Sequence, residues 1–229
     1  MEEFLIKPIA KIFNAYTSKF AIPRQSGIAE NIKSEIVFEP EYRFDEALRG
    51  IEEFSHLWLI WGFSQNLNIK WSPTVRPPRL GGNKRMGVFA TRSPFRPNNL
   101  GLSCVRLCEV KKAEKKGKVL IVSGADIMNG SPIYDIKPYL SYTDSYPDSD
   151  SGFTKNIIHK ELKVEIPESI RCGLDDEFLK NLESILKENP IPSYHSDTDR
   201  VYGFSFFEKE IKFKVNDGIL SVIKIDSAN

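Results

Sequence analysis

The chain has 229 residues, of which 41% are hydrophobic and 28% are charged, so it can form a real core and is not wholly disordered. No run of 18 apolar residues occurs and the N-terminus carries acids where a signal peptide needs cations, so we expect neither a membrane span nor a secretory leader. Three cysteines, an odd number, argue against a disulfide framework and favour a reducing compartment, which predicts a cytoplasmic protein.

The net charge of +1 hides an asymmetry along the chain. Residues 1–143 carry 21 Lys and Arg against 14 Asp and Glu, whereas residues 144–229 carry 11 against 17, and residues 54–108 contain no acid. Six of the eight cations in that acid-free segment are arginines, which suit bidentate phosphate contacts. The segment predicts a surface for an anion, with RNA as the leading partner. The alternative is a solvated basic face whose counter-charges come from other segments.

Short strands broken by Gly- and Pro-rich loops dominate the first 143 residues. Phe4–Phe13 predicts a strand, Phe44–Phe54 a helical turn or two, and the apolar run His56–Phe63 a second strand. Ser103–Val110 and Val119–Ile127 predict a hairpin joined by a lysine-rich turn over residues 111–118. This pattern favours a closed β-barrel over an alternating βαβ sheet.

The remaining residues predict a smaller unit of mixed structure. Ser141–Thr154 has the polar composition of a linker, and Asp175–Glu188 has the apolar spacing of an amphipathic helix with acids in its first turn. Val201–Val215 and Gly218–Ile225 predict a second hairpin. We therefore predict a mainly β fold, with a β-barrel domain at residues 1–145 and a small α+β domain at residues 155–229.

Several common chemistries are excluded by missing motifs. The sequence contains no Walker P-loop, no GxGxxG, no GxSxG and no HExxH, so nucleotide-binding Rossmann folds and the usual hydrolases are not indicated. Its three histidines lie far apart and it has no CxxC, so we expect no metal site.

The sharpest local signal is the stretch GVFATRSPFRPNNLGLSCVRL at Gly87–Leu107. Pro94 and Pro97 stiffen a loop that presents arginines outward, and Gly101 is interpreted as the point where the chain re-enters a strand. This stretch resembles the TrmO family, also called TsaA-like or YaeB-like, which comprises S-adenosylmethionine-dependent tRNA N6-methyltransferases with a β-barrel catalytic domain. Four further blocks carry the same resemblance in the expected order, namely Pro23–Gln25, Ser55–Trp58, Arg76–Gly82 and Asp126–Leu140.

The chain departs from the family pattern at three places. Asn99 replaces a proline, and Asn129 replaces an aspartate of the family's Asp-Gly-Thr-Pro. The family's C-terminal Asp-Pro-Arg-Pro-x-Tyr is here Asn189–Tyr194, which lacks both the acid and the arginine. The last change weakens the prediction of substrate more than that of cofactor.

The resemblance implies a binding site for S-adenosylmethionine made from barrel loops, at or near a homodimer interface. Arg92 can fix a carboxylate, and Asp126 or Asn129 can accept hydrogen bonds from ribose or amine donors, although Arg24 and Asp126 could instead form an ordinary ion pair. The residues that the resemblance assigns to the cofactor are Pro23, Arg24, Gln25, Ser64, Gln65, Arg92, Leu102, Asp126, Ile127, Met128 and Asn129.

The resemblance further implies that the substrate is threonine tRNA, at the adenosine 3′ of the anticodon (position 37), which already carries a threonylcarbamoyl group on N6. That N–H is urea-like, so a modest base suffices, and His56, Asp135 and Tyr139 are the candidates. The alternatives are a structural His56 and an Asp135 that merely pairs with Lys137.

Contacts to the anticodon loop are assigned to the acid-free segment and its neighbours, while Phe89 is predicted to be core. The predicted RNA-binding residues are Arg76, Arg79, Lys84, Arg85, Phe95, Arg96 and Lys137. Two other functions remain open at this point. One is a module that binds S-adenosylmethionine and RNA without turnover, and the other is a methyltransferase acting on another RNA or on a small molecule.

Overall fold

The computed structural model describes residues 3–19, 22–66, 70–77, 80, 84–155, 161–191 and 200–227. It contains two compact units. The first comprises Met1–Ala15, Arg24–Val75 and Met86–Tyr139, and the second comprises Tyr16–Pro23, Arg76–Arg85 and Leu140–Asn229. Two short pieces of the N-terminal half, residues 16–23 and 76–85, therefore group with the C-terminal residues.

The first unit is built on a closed barrel. Its strands are β1 (Ala10–Phe13), β2 (Lys33–Phe38), β3 (His56–Gly62), β4 (Thr74–Val75), β5 (Met86–Gly87), β6 (Leu100–Ala113), β7 (Gly117–Ser123) and β8 (Pro132–Pro138). The barrel order is β1-β2-β7-β6-β3-β8, with β4 and β5 as a separate pair, and neighbouring barrel strands are antiparallel. The predicted mainly β barrel is confirmed.

Alternation along the strands decides which side chains face the barrel core. On β3, Leu57, Leu59 and Trp61 are buried, whereas His56 and Trp58 are only half-buried on the outer face. The core also contains Ile12, Ile36, Val105, Leu120, Val122 and Ile133.

The hairpin of β6 and β7 is present but longer than predicted. The two strands pair as far as Ala113 opposite Gly117, so residues 114–116 form the turn. The chain takes positive φ at Lys115 within the turn (64°) and at Gly117 directly after it (72°). The lysines at 111, 112 and 118 lie in the strands rather than in a loop, because a hairpin exposed on both faces tolerates charge while its backbone bonds remain intact. The predicted helical turns also occur, as 3₁₀ helices at Asp45–Leu48 and Ile51–Glu53.

The second unit is a small α+β structure. Its elements are α1 (Ser141–Asp144), β9 (Lys163–Glu165), α2 (Glu168–Arg171), α3 (Asp176–Lys187), β10 (Tyr202–Phe206), β11 (Lys209–Asn216) and β12 (Ile219–Ser227). The sheet order is β10-β11-β12-β9, and β9 pairs parallel to β12. The predicted helix is confirmed as α3, whose N-cap Asp175 accepts a hydrogen bond of 2.9 Å from the Phe178 N–H.

One local prediction for this unit is wrong. The single strand predicted over 201–215 is two strands, since Phe207 takes φ 50° and reverses the chain before β11 begins. The aromatic residues at 204, 206 and 207 favour a continuous strand, and the turn contains neither Gly nor Asn, so the sequence does not indicate it. The predicted linker 141–154 contains α1 and a 3₁₀ turn, Gly152–Thr154. None of the described helices is both long and apolar enough to cross a membrane.

Candidate functional site

Loops meet at the end of the barrel where β7 ends. The Gly27 N–H donates to the Gly124 carbonyl oxygen over 2.8 Å, which joins the loop before β2 to the segment that follows β7. Gly124 has φ +75°, and a Cβ there would lie 3.2 Å from the Gly27 Cα, so this close approach requires glycine. The contact brings Gln25 and Asp126 to the same end of the barrel.

Asp126 lies at the centre of this end of the barrel. The Ser103 hydroxyl on β6 donates to Asp126 Oδ1, and the Trp61 indole N–H on β3 donates to Ser103 Oγ over 2.9 Å. Burial raises the pKa of the Asp126 carboxyl above its usual value, while the Ser103 hydrogen bond, backbone N–H groups and the charge of Arg92 act in the opposite direction. The site thus contains a carboxylate that is costly to bury and that accepts hydrogen bonds from Ser103 of β6 and from backbone N–H groups.

Arg92 supplies a positive charge next to this carboxylate. Its guanidinium donates to Gln25 Oε1, and Gln25 Nε2 donates to the Arg24 carbonyl oxygen over 2.6 Å. Arg92 is exposed, and a guanidinium carries five N–H donors. An exposed cation beside a partly buried carboxylate can bind a ligand that carries both charges.

The turn after Asp126 is held by Asn14. The Asn14 backbone N–H donates to Asn129 Oδ1 over 3.0 Å, and the Asn14 side chain donates to the Ile127 carbonyl oxygen over 2.9 Å. The oxygen of Asn129 thus makes a contact that an aspartate oxygen could also make. The Ser131 N–H closes the turn on the Met128 carbonyl oxygen at 3.1 Å.

The remaining predicted cofactor residues differ in position. Ser64 Oγ lies 3.2 Å from Ser131 Oγ, which connects the end of β3 to the same turn, and Gln65 beside it is exposed. Leu102 is 58% exposed and neighbours the buried Ser103 on β6, so its side chain lies on the other face of this strand. Pro23 is buried and belongs to the second unit.

The three predicted catalytic residues do not form one cluster within the chain. The His56 and Tyr139 rings meet edge to face with centroids 6.2 Å apart, and His56 Nδ1 lies 2.9 Å from Ser55 Oγ. Asp135 lies opposite Ile60, four residues along β3 from His56, which is about 13 Å. Its carboxylate pairs with Lys137 Nζ at 3.0 Å, as the structural alternative predicted.

The predicted RNA-binding residues divide into two groups. Arg96 donates to the Thr91 carbonyl oxygen over 2.7 Å and to the Val88 carbonyl oxygen over 3.1 Å, so it braces the Pro-rich loop. Arg76, Lys84 and Arg85 are exposed and belong to the second unit. Arg79 lies outside the described residues.

The prediction that Phe89 is core is wrong. Its ring is 73% exposed and lies 5.6 Å from the Arg96 guanidinium carbon, because residues 88–90 form a 3₁₀ turn that buries only Val88. Phe95 in the same loop is 38% exposed. Two exposed rings beside an arginine are typical of a surface that stacks on bases.

Sequence reasoning missed Asn14, Trp61 and Ser103. Their contacts join residues 115, 42 and 23 positions apart, so no local pattern could reveal them. Among the described residues there is no group of three His, Cys, Asp or Glu side chains that could hold a metal ion.

Two family models match the chain. The tRNA-methyltransferase O N-terminal domain matches residues 11–145, which include the barrel and the loops around Asp126, and the TrmO C-terminal domain matches residues 160–228. The chain belongs to the TrmO family. The resemblance seen in the sequence is therefore confirmed.

Similar proteins span the whole chain. The tRNA (adenine(37)-N6)-methyltransferase of Escherichia coli (strain K12) is 35% identical over 99% of each chain. A Pseudomonas aeruginosa (strain PAO1) relative, named as a putative S-adenosylmethionine-dependent methyltransferase, is 36% identical over 90% of each chain. The crystal structure of TrmO from Pseudomonas aeruginosa superposes with a TM-score of 0.77 and 29% identity over 99% of each chain. The activity class that these names give, methyl transfer to tRNA, agrees with the sequence-based prediction.

Proposed function

We propose that this chain is an S-adenosylmethionine-dependent tRNA methyltransferase that methylates N6 of threonylcarbamoyladenosine at position 37 of threonine tRNA. Membership of the TrmO family and the names of its full-length relatives support the activity. The single observation on this chain that supports it best is the grouping of Gln25, Arg92 and Asp126 at one end of the barrel, where Arg92 donates to Gln25 and its charge acts to lower the pKa of Asp126.

The residues of this end of the barrel fit S-adenosylmethionine. That cofactor has a carboxylate, an ammonium group and ribose hydroxyls, and it supplies a methyl group on a sulfonium centre. Arg92 offers a cation for the carboxylate, while Asp126 and the turn at Asn129 offer acceptors for amine or hydroxyl donors. We propose that the cofactor is held by Pro23, Arg24, Gln25, Ser64, Gln65, Arg92, Leu102, Asp126, Ile127, Met128 and Asn129.

The chain's own contribution to the reaction is positioning and removal of one proton. Holding the reacting atoms in line avoids the entropy cost of bringing them together, and the acidic, urea-like N–H of the substrate needs only a modest base. We propose His56 for that role, with Tyr139 against its ring. Asp135 is assigned to its ion pair with Lys137 rather than to proton transfer.

We propose that the anticodon loop contacts Arg76, Arg79, Lys84, Arg85, Phe95, Arg96 and Lys137. We further propose that residues 1–145 act as the domain that binds cofactor and RNA, that residues 155–229 form a small additional domain, and that the protein works as a cytoplasmic homodimer without a metal ion. The acid-free segment 54–108 and the exposed rings of Phe89 and Phe95 support the RNA contact.

The deciding experiment is methyl transfer from labelled S-adenosylmethionine to threonine tRNA, with and without the threonylcarbamoyl group, followed by mass analysis of the nucleosides. We expect label only on the modified adenosine at position 37. Label on neither tRNA despite measurable cofactor binding would contradict the proposal and would favour a binding module instead. Label on another nucleoside or on a small molecule would favour a different substrate.

The RNA contact has its own test in the combined substitution Arg76→Ala and Lys84→Ala. Each cation that contacts a phosphate contributes roughly 0.7–0.9 to the slope of log affinity against log salt, so the double variant should reduce this slope by roughly 1.4–1.8. The KM for tRNA should rise several-fold while cofactor affinity stays unchanged. Filter binding at several salt concentrations measures this slope. The matched control is Lys163→Ala with Lys224→Ala, two lysines that pair with acids. An equal effect in both double variants would show that the interaction is only general attraction.

A further inference from the structure

Two buried side chains of the barrel wall, Trp61 and Ser103, form a chain of hydrogen bonds that ends at Asp126. Ser103 is 1% exposed and Trp61 is 5% exposed. Ser103 lies opposite Leu59, and Trp61 lies opposite Gly101, so the two are diagonal neighbours on the inner face of β3 and β6. Trp61 Nε1–H donates to Ser103 Oγ over 2.9 Å, and Ser103 Oγ–H donates to Asp126 Oδ1.

The direction of this chain of hydrogen bonds follows from the groups themselves. An indole N–H can only donate, so it occupies a lone pair of Ser103 Oγ. The single hydroxyl proton of Ser103 is therefore directed to the carboxylate, which accepts it. Asp126 Oδ1 is held in one orientation as a result, and the backbone N–H groups of Ser26 and Asp126 also contribute hydrogen bonds to the carboxylate.

The barrel wall leaves room for the indole in this orientation. A Cβ on Gly101 would collide with the Trp61 ring, at 2.8 Å from Nε1 and closer still to two ring carbons. The Phe63 ring packs against the other part of the indole with a centroid distance of 4.3 Å. Glycine at 101 thus permits Trp61 to lie flat across β6 and to reach Ser103.

This arrangement places the Ser103 hydroxyl among buried core residues, where it donates to one carboxylate. Ser103 occupies a core-facing position between Gly101 and the buried Val105, where an apolar side chain would serve the core better. Burial also makes ionised Asp126 unfavourable. Polar groups that break the pattern of a core are characteristic of functional sites.

We propose that Ser103 and Trp61 are positioning residues for cofactor binding, which fix the orientation of the Asp126 carboxylate toward the hydrogen-bond donors of S-adenosylmethionine. This inference rests on the proposed function, because it assumes that Asp126 contacts the cofactor. It adds two residues that touch neither the cofactor nor the tRNA.

The test is calorimetric titration of S-adenosylmethionine into the full chain between pH 5 and pH 9. Ser103→Ala should weaken affinity about tenfold, the value of one hydrogen bond to a charged group. Because the Ser103 hydrogen bond lowers the pKa of Asp126, its removal should also move the loss of affinity on acidification to a higher pH. Trp61→Phe should shift both quantities in the same direction by a smaller amount.

Two further variants show whether these effects belong to the hydroxyl group. Ser103→Thr retains it and should restore both the affinity and the pH profile. Ser123→Ala removes a buried serine of β7 and should leave both at the wild-type values. Should Ser103→Ala fail to fold, the comparison of Trp61→Phe with Ser103→Thr decides the question by the same pH profile.

Asp126→Asn separates failure of the inference from failure of the proposed function. If Asp126→Asn leaves cofactor affinity unchanged, the proposed cofactor site is wrong and the inference falls with it. If Asp126→Asn weakens binding while folded Ser103→Ala keeps the wild-type affinity and pH profile, only the positioning inference is overturned.

Discussion

Two carboxylates of the barrel, Asp126 and Asp135, illustrate how one chemical group can serve different purposes. Asp135 lies on the outer face of β8 with its side chain 44% exposed, and it pairs with Lys137 two residues away. Asp126 lies at the end of the barrel after β7, where the buried Ser103 of β6 donates to its carboxylate and burial raises its pKa. The carboxylate of Asp135 forms an ion pair with a nearby lysine and is exposed to water. The carboxylate of Asp126 is buried, which makes its charged form unfavourable. A carboxylate whose position destabilises the protein is the better candidate for binding a ligand.

The largest expected effect separates the two carboxylates by function. Asp126→Asn keeps the size of the side chain but removes the negative charge that is proposed to meet the donors of the cofactor, and a hydrogen bond to a charged group contributes up to about 3 kcal/mol. We therefore expect cofactor affinity to fall about a hundredfold. Calorimetric titration measures this, and Arg92→Ala should give a loss of similar size.

The control for this prediction is Asp135→Asn, which should bind the cofactor with wild-type affinity. An equal loss in both variants would contradict the distinction between the two carboxylates and would indicate a general effect of charge.

A second prediction concerns folding stability and its pH dependence. Since the pKa of Asp126 is raised in the folded protein above its ordinary value of 3.8, the folded state binds a proton more tightly than the unfolded state. The wild type should therefore lose stability relative to Asp126→Asn as the pH rises through the raised pKa, and Asp126→Asn should be the more stable protein at neutral pH. Each unit by which the folded-state pKa is raised corresponds to about 1.4 kcal/mol.

Urea unfolding of both proteins at a series of pH values checks this sign. A wild type that gains stability relative to Asp126→Asn over the same pH range would show that the hydrogen bonds to Asp126 outweigh its burial. In that case the carboxylate would be a stabilising structural group, and the contrast with Asp135 would disappear.

Sequence reasoning succeeds where the relevant pattern is local. The apolar run of β3, the lysine-rich hairpin and the amphipathic spacing of α3 each lie within a short window, and the motif at Asp126–Leu140 leads to the correct family. Arg92, Gln25 and Asp126 are assigned to one site by resemblance, and the structure brings these three together.

Reasoning from sequence fails where strand register decides the outcome. The sequence indicates Gly101 as a point of re-entry into a strand, but its lack of a side chain also makes room for Trp61 of the neighbouring strand. Ser103 has no local feature that distinguishes it from other serines, and its role depends on a pairing between β3 and β6 that no motif encodes. The separation of His56 from Asp135 has the same origin, because both residues lie in recognisable motifs and only the register sets them four residues apart.

The smallest expected effect is at Asp135 itself. Its ion pair with Lys137 is partly exposed on both sides, and such pairs contribute between 0 and about 1 kcal/mol because water screens the charges and two flexible side chains are ordered. Asp135→Asn should therefore lower the free energy of unfolding by less than about 1 kcal/mol, with less loss at high salt, and kcat for tRNA methylation should stay close to the wild-type value. Urea unfolding and steady-state methylation measure the two quantities. A large fall in kcat with cofactor affinity unchanged would show that Asp135 acts in proton transfer. Its ion pair with Lys137 would then be compatible with a catalytic role.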